Sequence, residues 1–450
     1  MHIDNQAGTY EDLCRNFRWQ VPEHFNIGVD VCGRWAGERS RFALYYEDES
    51  GFTSAHTFWD IQRAANRLSN VLAALGTLPG DRVAILLPQC PEAAIAHVAI
   101  YQMGALSVPL SLRFGSSALA YRLAHSGAHV AIVDAASLPK LLSLRDRLSK
   151  LRHVIGVGRA AGKGVKVWAE VLEHASPRYT PVLTAAEAPA MILYGDAASE
   201  EPAGALMAHR TLLGNLSGYA CTHDFFPQPD DLFWSPADWA SSAGLWGALL
   251  PTWHFGEPLL AYTGPFDAAK ALALIEKYGV RNTFLAPTAL QAMMMEVPEP
   301  ATIHDLDLRT LTSAGGPRAD ALVRCWVREK LNVGISETFG RIEMNAVVGH
   351  SAGRWPAKPG AIGRPFPGHR VAVVDHQGTV LPPGEVGQVA VHRRCNGEDD
   401  PVMMLGYWRN PAATAAKFVG DGWGLTGDLG RMDDDGYLWC EGPAGDVFNM

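Results

Sequence analysis

The chain predicts an α/β protein made of two wound subdomains followed by a smaller β-rich module, and three observations carry that expectation. Short apolar runs alternate with helical periodicity over most of the length, which is how parallel sheets with covering helices are written in sequence. From about residue 360 the helical segments give way to short strands separated by Gly and Pro turns. With 450 residues, the chain is long enough for two or three domains.

In chain order, buried strands are expected at 81–88, 129–133, 154–157, 190–193, 232–235, 281–285 and 311–313. Helices are expected at 92–103, 116–125, 138–148, 267–278 and 319–331. The division that follows is a first α/β subdomain at 1–185, a second at 186–359, and a β-rich subdomain, drawn as a distorted barrel, at 360–440. The run Gly156-x-Gly158-x-x-Ala161 formally fits a relaxed dinucleotide fingerprint. The glycines after it, Gly162 and Gly164, break the helix such a fingerprint needs, so an edge turn is expected instead.

Composition excludes several functions. A net charge of -9 and a charged fraction of 19% argue against nucleic acid as a main partner. No apolar run reaches membrane-spanning length and the first residues lack a signal-like pattern, so the expected location is the cytoplasm. The seven cysteines are scattered without C-x-x-C spacing and read as reduced core thiols. No H-E-x-x-H pair or G-x-S-x-G elbow is present, which leaves metalloprotease and α/β-hydrolase chemistry without support.

Several motifs together carry a resemblance. The run from Met191 to Arg210 places an apolar stretch ending at Tyr194, a loop of small residues, then Pro202, Gly204 and a helix-forming segment. Further on come Ser235-Pro236-Ala237-Asp238-Trp239-Ala240, Ser313-Ala314-Gly315-Gly316-Pro317, Glu337-Thr338-Phe339-Gly340-Arg341-Ile342-Glu343, Pro401-Val402-Met403-Met404-Leu405-Gly406-Tyr407-Trp408 and Leu425-Thr426-Gly427-Asp428. With these the chain resembles the AMP-forming acyl-CoA synthetases of the adenylate-forming superfamily, over its whole length, in the branch that activates medium-chain or aromatic acids.

The resemblance implies an acid–CoA ligase that joins a carboxylic acid to ATP with release of pyrophosphate and passes the acyl group to coenzyme A. It implies ATP or AMP, Mg²⁺ and CoA as ligands, and a carboxylic acid or acyl adenylate as the small-molecule partner. Glu343 matches the magnesium carboxylate. Ser199, Gly204, Gly315, Gly316, Thr338, Phe339 and Asp428 match nucleotide positions, with Phe339 facing adenine and Asp428 holding the ribose hydroxyls. Trp239, Gly244 and Gly340 match the acyl pocket. Two assignments have a second reading. Asp428 could cap a turn beside Gly427, and Trp239 could be a core tryptophan.

Other positions depart from the family pattern. The segment 194–204 stands where a phosphate loop reads Thr-Ser-Gly-Thr-Thr-Gly-x-Pro-Lys-Gly, but Ala203 takes the lysine position and Asp196, Glu200 and Glu201 bring three carboxylates. Such a loop works by converging N–H groups and one cation on phosphate oxygens, and like charges a few Å apart repel by roughly 1 kcal/mol even in water. Ile342 replaces a threonine, and Pro443 replaces a hinge arginine within 441–450, the remnant of a hinge. The lid domain that follows in the family is expected to be lacking. Impaired catalysis is therefore expected. Two alternatives stay open: a non-catalytic acyl- or adenylate-binding or scaffolding pseudoenzyme, and a split enzyme whose lid comes from another chain. A protein partner could cover the face left by the lid, with Trp423 and Phe448 on it.

Overall fold

The computed structural model describes residues 9–195, 202–315 and 318–444. Two large sheets and one small one organise them. The first large sheet has eight strands, six of which run parallel: Pro189–Tyr194, Leu106–Pro109, Arg82–Leu86, Val130–Val133, His153–Gly156 and Val165–Val167. Beyond Leu106–Pro109 it continues through Pro189–Tyr194 and the antiparallel strands Gly204–Ala208 and Gly406–Tyr407. The second has nine strands, with Phe42–Asp48, Leu259–Thr263, Phe233–Trp234, Asn282–Phe284, Thr310–Ser313 and the start of Ile335–Arg341 parallel and hairpin strands at either edge.

Side-chain alternation explains how the layers stack. Val83 and Ile85 face one hydrophobic cluster while Ala84 and Leu86 face another, as the period of two along a strand requires. The first cluster also takes Leu44, Phe233, Leu259 and Ala261 from the second sheet. One shared core thus lies between the two large sheets, and the helices Phe58–Ala74, Pro91–Gln102 and Thr211–Thr222 fill it. Pro91–Gln102 is buried along nearly its whole length, the expected state of a helix apolar on every side. The outer faces are covered by Ser116–Ser126 and Leu138–Ser143 on the first sheet and by Ala268–Tyr278, Pro287–Glu296 and Ala321–Lys330 on the second.

Local chemistry fixes the helix ends. Thr57 and Asp60 form a reciprocal capping box at the start of Phe58–Ala74, and Asp267 and Asp320 cap their helices through backbone N–H groups; each such cap is worth about 1 kcal/mol.

Three expectations are corrected. The segment after Pro202 forms the strand Gly204–Ala208, not a helix; its alternate residues enter both sheet faces, and the helix begins only at Thr211. Pro189–Tyr194 and Gly204–Ala208 extend the first sheet, while Phe42–Asp48 and Thr53–Thr57 complete the second. Among the described residues the C-terminal strands Arg370–Val374, Gly387–His392, Trp423–Met432, Phe418–Val419 and Leu438–Pro443 make an open antiparallel sheet and not a closed barrel. Trp423 is buried within that sheet against Ala372, Val374 and Ala390, so it belongs to no exposed face. Phe448 lies outside the described residues. No helix among them is long and apolar enough to cross a membrane.

Candidate functional site

Three segments converge where the two large sheets meet the C-terminal module. The first is the strand Ile335–Arg341, whose end carries Thr338, Phe339 and Gly340 and turns through Ile342 and Glu343 into Asn345–Gly349. This motif is mostly strand, since its first half continues a parallel ladder and its second half folds back as an antiparallel hairpin. The second segment is Met404-Leu405-Gly406-Tyr407-Trp408. Met404 N–H donates to the Glu343 carbonyl at 2.9 Å, Leu405 N–H to Leu206 at 2.8 Å and Trp408 N–H to Gly204 at 2.8 Å, so this one stretch joins Glu343 to the exit of the segment 194–204. The third is Trp423–Met432, which carries Asp428.

Both site carboxylates are engaged by the chain's own donors. Arg341 Nε donates to Asp428 Oδ2 at 2.7 Å and Arg341 Nη2 pairs with Oδ1, a two-pronged contact. Asp428 is 3% exposed at its side chain and Arg341 45%. One carboxyl oxygen of Glu343, Oε1, accepts the Tyr407 hydroxyl at 2.5 Å and the Lys417 ammonium at 3.0 Å. Burial, then the Glu343 charge and its hydrogen bond, push the Tyr407 hydroxyl well above its ordinary range, so it stays a donor. Two carboxylates and two cations give the cluster no net charge, and its field on an approaching polyanion is correspondingly small.

The other expected residues fall as follows. Thr338 lies opposite Gly349 in the hairpin. Phe339 packs with Met344, Val347 and Val348 in the cluster that also includes strands of the C-terminal module. Gly315 follows the strand Thr310–Ser313 with φ +83°. A Cβ at Gly340 would stand 1.5 Å from the Asn345 carbonyl oxygen, and one at Gly244 would stand 2.2 Å from that of Asp238; each glycine is demanded by backbone approach. Ser242 Oγ bonds Asn345 Oδ1 at 3.1 Å and so brings the Gly244 segment beside the hairpin of Gly340. Trp239 is buried in the central core. Ala203 is exposed, Gly204 buried, and Arg122 Nη2 reaches the Gly195 carbonyl at 3.4 Å. Ser199, Gly316, Asp196, Glu200 and Glu201 lie outside the described residues.

Arg341, Tyr407 and Lys417 were absent from the residues picked out in sequence. Arg341 and Tyr407 stood inside quoted motifs without a role, and Lys417 carries no local signal at all, because its partner is distant in the chain.

The comparisons then decide the family. Residues 34–408 match the family described as AMP-binding enzyme. The chain belongs to the AMP-binding enzyme family. Among AMP-binding relatives, acetyl-coenzyme A synthetase of Bacillus subtilis (strain 168) is 28% identical over 99% of this chain and 78% of its own length. The mitochondrial acyl-coenzyme A synthetase ACSM3 of Homo sapiens is 28% identical over 99% of this chain and 77% of its own length. A crystal structure of Brucella canis acyl-CoA synthetase superposes with a TM-score of 0.88 at 27% identity, covering 97% of this chain and 80% of that one. An anthranilate CoA ligase in complex with anthranoyl-AMP shares the fold, with a TM-score of 0.85 at 24% identity over 95% of this chain and 79% of that one. The resemblance to acid–CoA ligases is thus carried by sequence and fold alike.

Mg²⁺ and nucleotide can be tested against these residues. Mg²⁺ takes one or two carboxylates together with substrate phosphates. Glu343 is the carboxylate here, and Lys417 already neutralises it at 3.0 Å. Among the described residues no cluster of three His, Cys, Asp or Glu could hold a metal. Arg341 already engages one lone pair on each Asp428 oxygen that a ribose diol would approach. Among the described residues, both carboxylates are thus ion-paired within the chain.

Proposed function

We propose that the chain is an acid–CoA ligase relative that keeps an adenylate pocket and lacks turnover of its own. The observation that carries this is the double internal neutralisation, Asp428 by Arg341 and Glu343 by Lys417. The sequence adds to it: Ala203 supplies no cation at the loop, and Ile342, packed toward the central core, supplies no hydroxyl. A single well-placed donor is worth about 3 kcal/mol in a transition state, so the loss of the loop cation together with a hydroxyl is enough to suppress the reaction without any change of fold.

In this proposal the ligands are adenosine or AMP and an acyl adenylate, with medium-chain or aromatic acyl groups. Asp428 is the ribose group, Phe339 and Gly315 flank the adenine, and Gly244 and Gly340 stand on the acyl side. ATP, Mg²⁺ and CoA are the co-substrates of an active relative, with Glu343 as the metal carboxylate.

Exchange of labelled pyrophosphate into ATP, with octanoate and benzoate as acids, tests the proposal. Exchange at the level of a boiled control is expected, together with calorimetrically detectable binding of a non-hydrolysable acyl-AMP analogue. Sustained exchange by the isolated chain would overturn it. Absence of analogue binding would leave only the scaffold alternative.

A further inference from the structure

We propose that Arg341 is an internal cap on the pocket, holding the Asp428 carboxylate against a nucleoside, so that adenosine enters only when this ion pair opens. The inference rests on the adenylate-pocket proposal and adds the group that controls entry to it.

The two partners differ in burial in a way that identifies the moving one. Asp428 lies at a register shift of the long strand Trp423–Met432 against Gly387–His392, opposite Pro443 on its other side, and its backbone N–H is tied to Thr426 Oγ1 at 3.1 Å. Its side chain is 3% exposed. Arg341 ends its strand, its side chain is almost half exposed, and its guanidinium can rotate into solvent without moving the ladder.

The pair also competes with a nucleoside for the same two oxygens. Nε and Nη2 take one carboxyl oxygen each, which is the two-point pattern a vicinal diol would use. A charged fork bonds a carboxylate roughly twice as strongly as neutral hydroxyls do. The nucleoside therefore gains its own two-point contact when the arginine swings aside, and its apparent affinity is reduced by the fraction of time the pair is closed. Arg341 is not drawn away from Asp428 by Glu343, whose Oε1 is held by Lys417 and Tyr407.

Adenosine is the informative probe because it is uncharged, so removing a cation does not alter any direct attraction to it. Calorimetric titration of the full chain and of Arg341→Gln is expected to show adenosine bound about tenfold tighter by the variant, a difference of about 1.4 kcal/mol. The unmodified chain supplies a second arm that needs no mutation. Salt screens a half-exposed ion pair, so its adenosine affinity should rise on going from about 50 mM to about 500 mM KCl, whereas the affinity of Arg341→Gln should not.

Equal affinity in both proteins with no salt dependence, while Asp428→Asn weakens both, overturns the cap and leaves the pocket standing. If adding Asp428→Asn to Arg341→Gln changes nothing, or if neither protein binds adenosine at millimolar concentration, the pocket proposal fails and the cap falls with it. Should Arg341→Gln fail to fold, the salt arm on the unmodified chain decides.

Discussion

Replacing Gly340 by alanine separates a backbone requirement from an acyl-pocket requirement. The added Cβ would lie 1.5 Å from the Asn345 carbonyl oxygen, 2.4 Å from its carbonyl carbon and 2.9 Å from the Ala346 Cα. All three are backbone atoms, so no side chain can swing aside. Restoring ordinary contact moves the hairpin strands apart by roughly 2 Å. That separation loosens the paired positions Gly340↔Ala346 and Arg341↔Asn345, at about 1 kcal/mol per hydrogen bond, and adds overpacking strain of about 1–3 kcal/mol. The sum is about 3–5 kcal/mol, which for a chain of this size corresponds to a fall in Tm of the order of 3–5 °C. Thermal unfolding followed by circular dichroism measures it, with Gly37→Ala as a control, since nothing lies within 4 Å of a Cβ there. An unchanged Tm for Gly340→Ala, with altered preference for acid size, would refute the backbone argument and restore a purely pocket-shaping role.

Three further outcomes are expected. Burial holds His97, His209 and His223 neutral, with their pKa values lowered to about 3. Each unfolded imidazole takes up a proton near pH 6.5 that the folded one refuses. The stability they favour is therefore full above pH 6.5 and falls by about 1.4 kcal/mol per pH unit per residue between about 6.5 and 3; a Tm constant from pH 7 to pH 5 contradicts this. Asp231, fully buried, is gripped by Arg309 Nε at 2.9 Å and Nη2 at 2.6 Å, so Asp231→Ala should cost about 3–5 kcal/mol in urea unfolding by stranding the arginine, and a loss under about 1 kcal/mol disproves it. Lys417→Met removes the cation at Glu343 and should increase the factor by which Mg²⁺ strengthens ATP binding, on the order of tenfold; an unchanged factor means that Lys417 does not mask the carboxylate.

Much of the fold was legible because burial on both faces writes parallel strands as continuous apolar runs. The runs at 129–133, 154–157 and 311–313 fall on Val130–Val133, His153–Gly156 and Thr310–Ser313. The helix expected at 116–125 is Ser116–Ser126, closed by Gly127 in a left-handed conformation. Strands held by non-local pairing were harder to read. Gly204–Ala208 is rich in small residues and is strand because Pro189–Tyr194 and Gly406–Tyr407 pair with it. The stretch expected at 138–148 breaks after Ser143 into a short 3₁₀ turn at Arg145–Arg147. Within the candidate site, sequence could name Asp428 and Glu343 from motif resemblance. It could not show that Arg341 and Lys417 pair with them, because those contacts join residues 87 and 74 positions apart.

The arrangement of the large sheets has a consequence for how the polypeptide is made. Leu44 aligns with Leu259 and Asp48 with Thr263, and the first sheet receives its last strand only at Gly406–Tyr407. At about 5–20 residues per second of synthesis, the amino-terminal hairpin waits roughly 10–40 s for the strand it must lie beside. Throughout that interval its open edge invites pairing with another nascent chain, so ribosome-associated chaperones should determine the yield of this protein more than its final stability does.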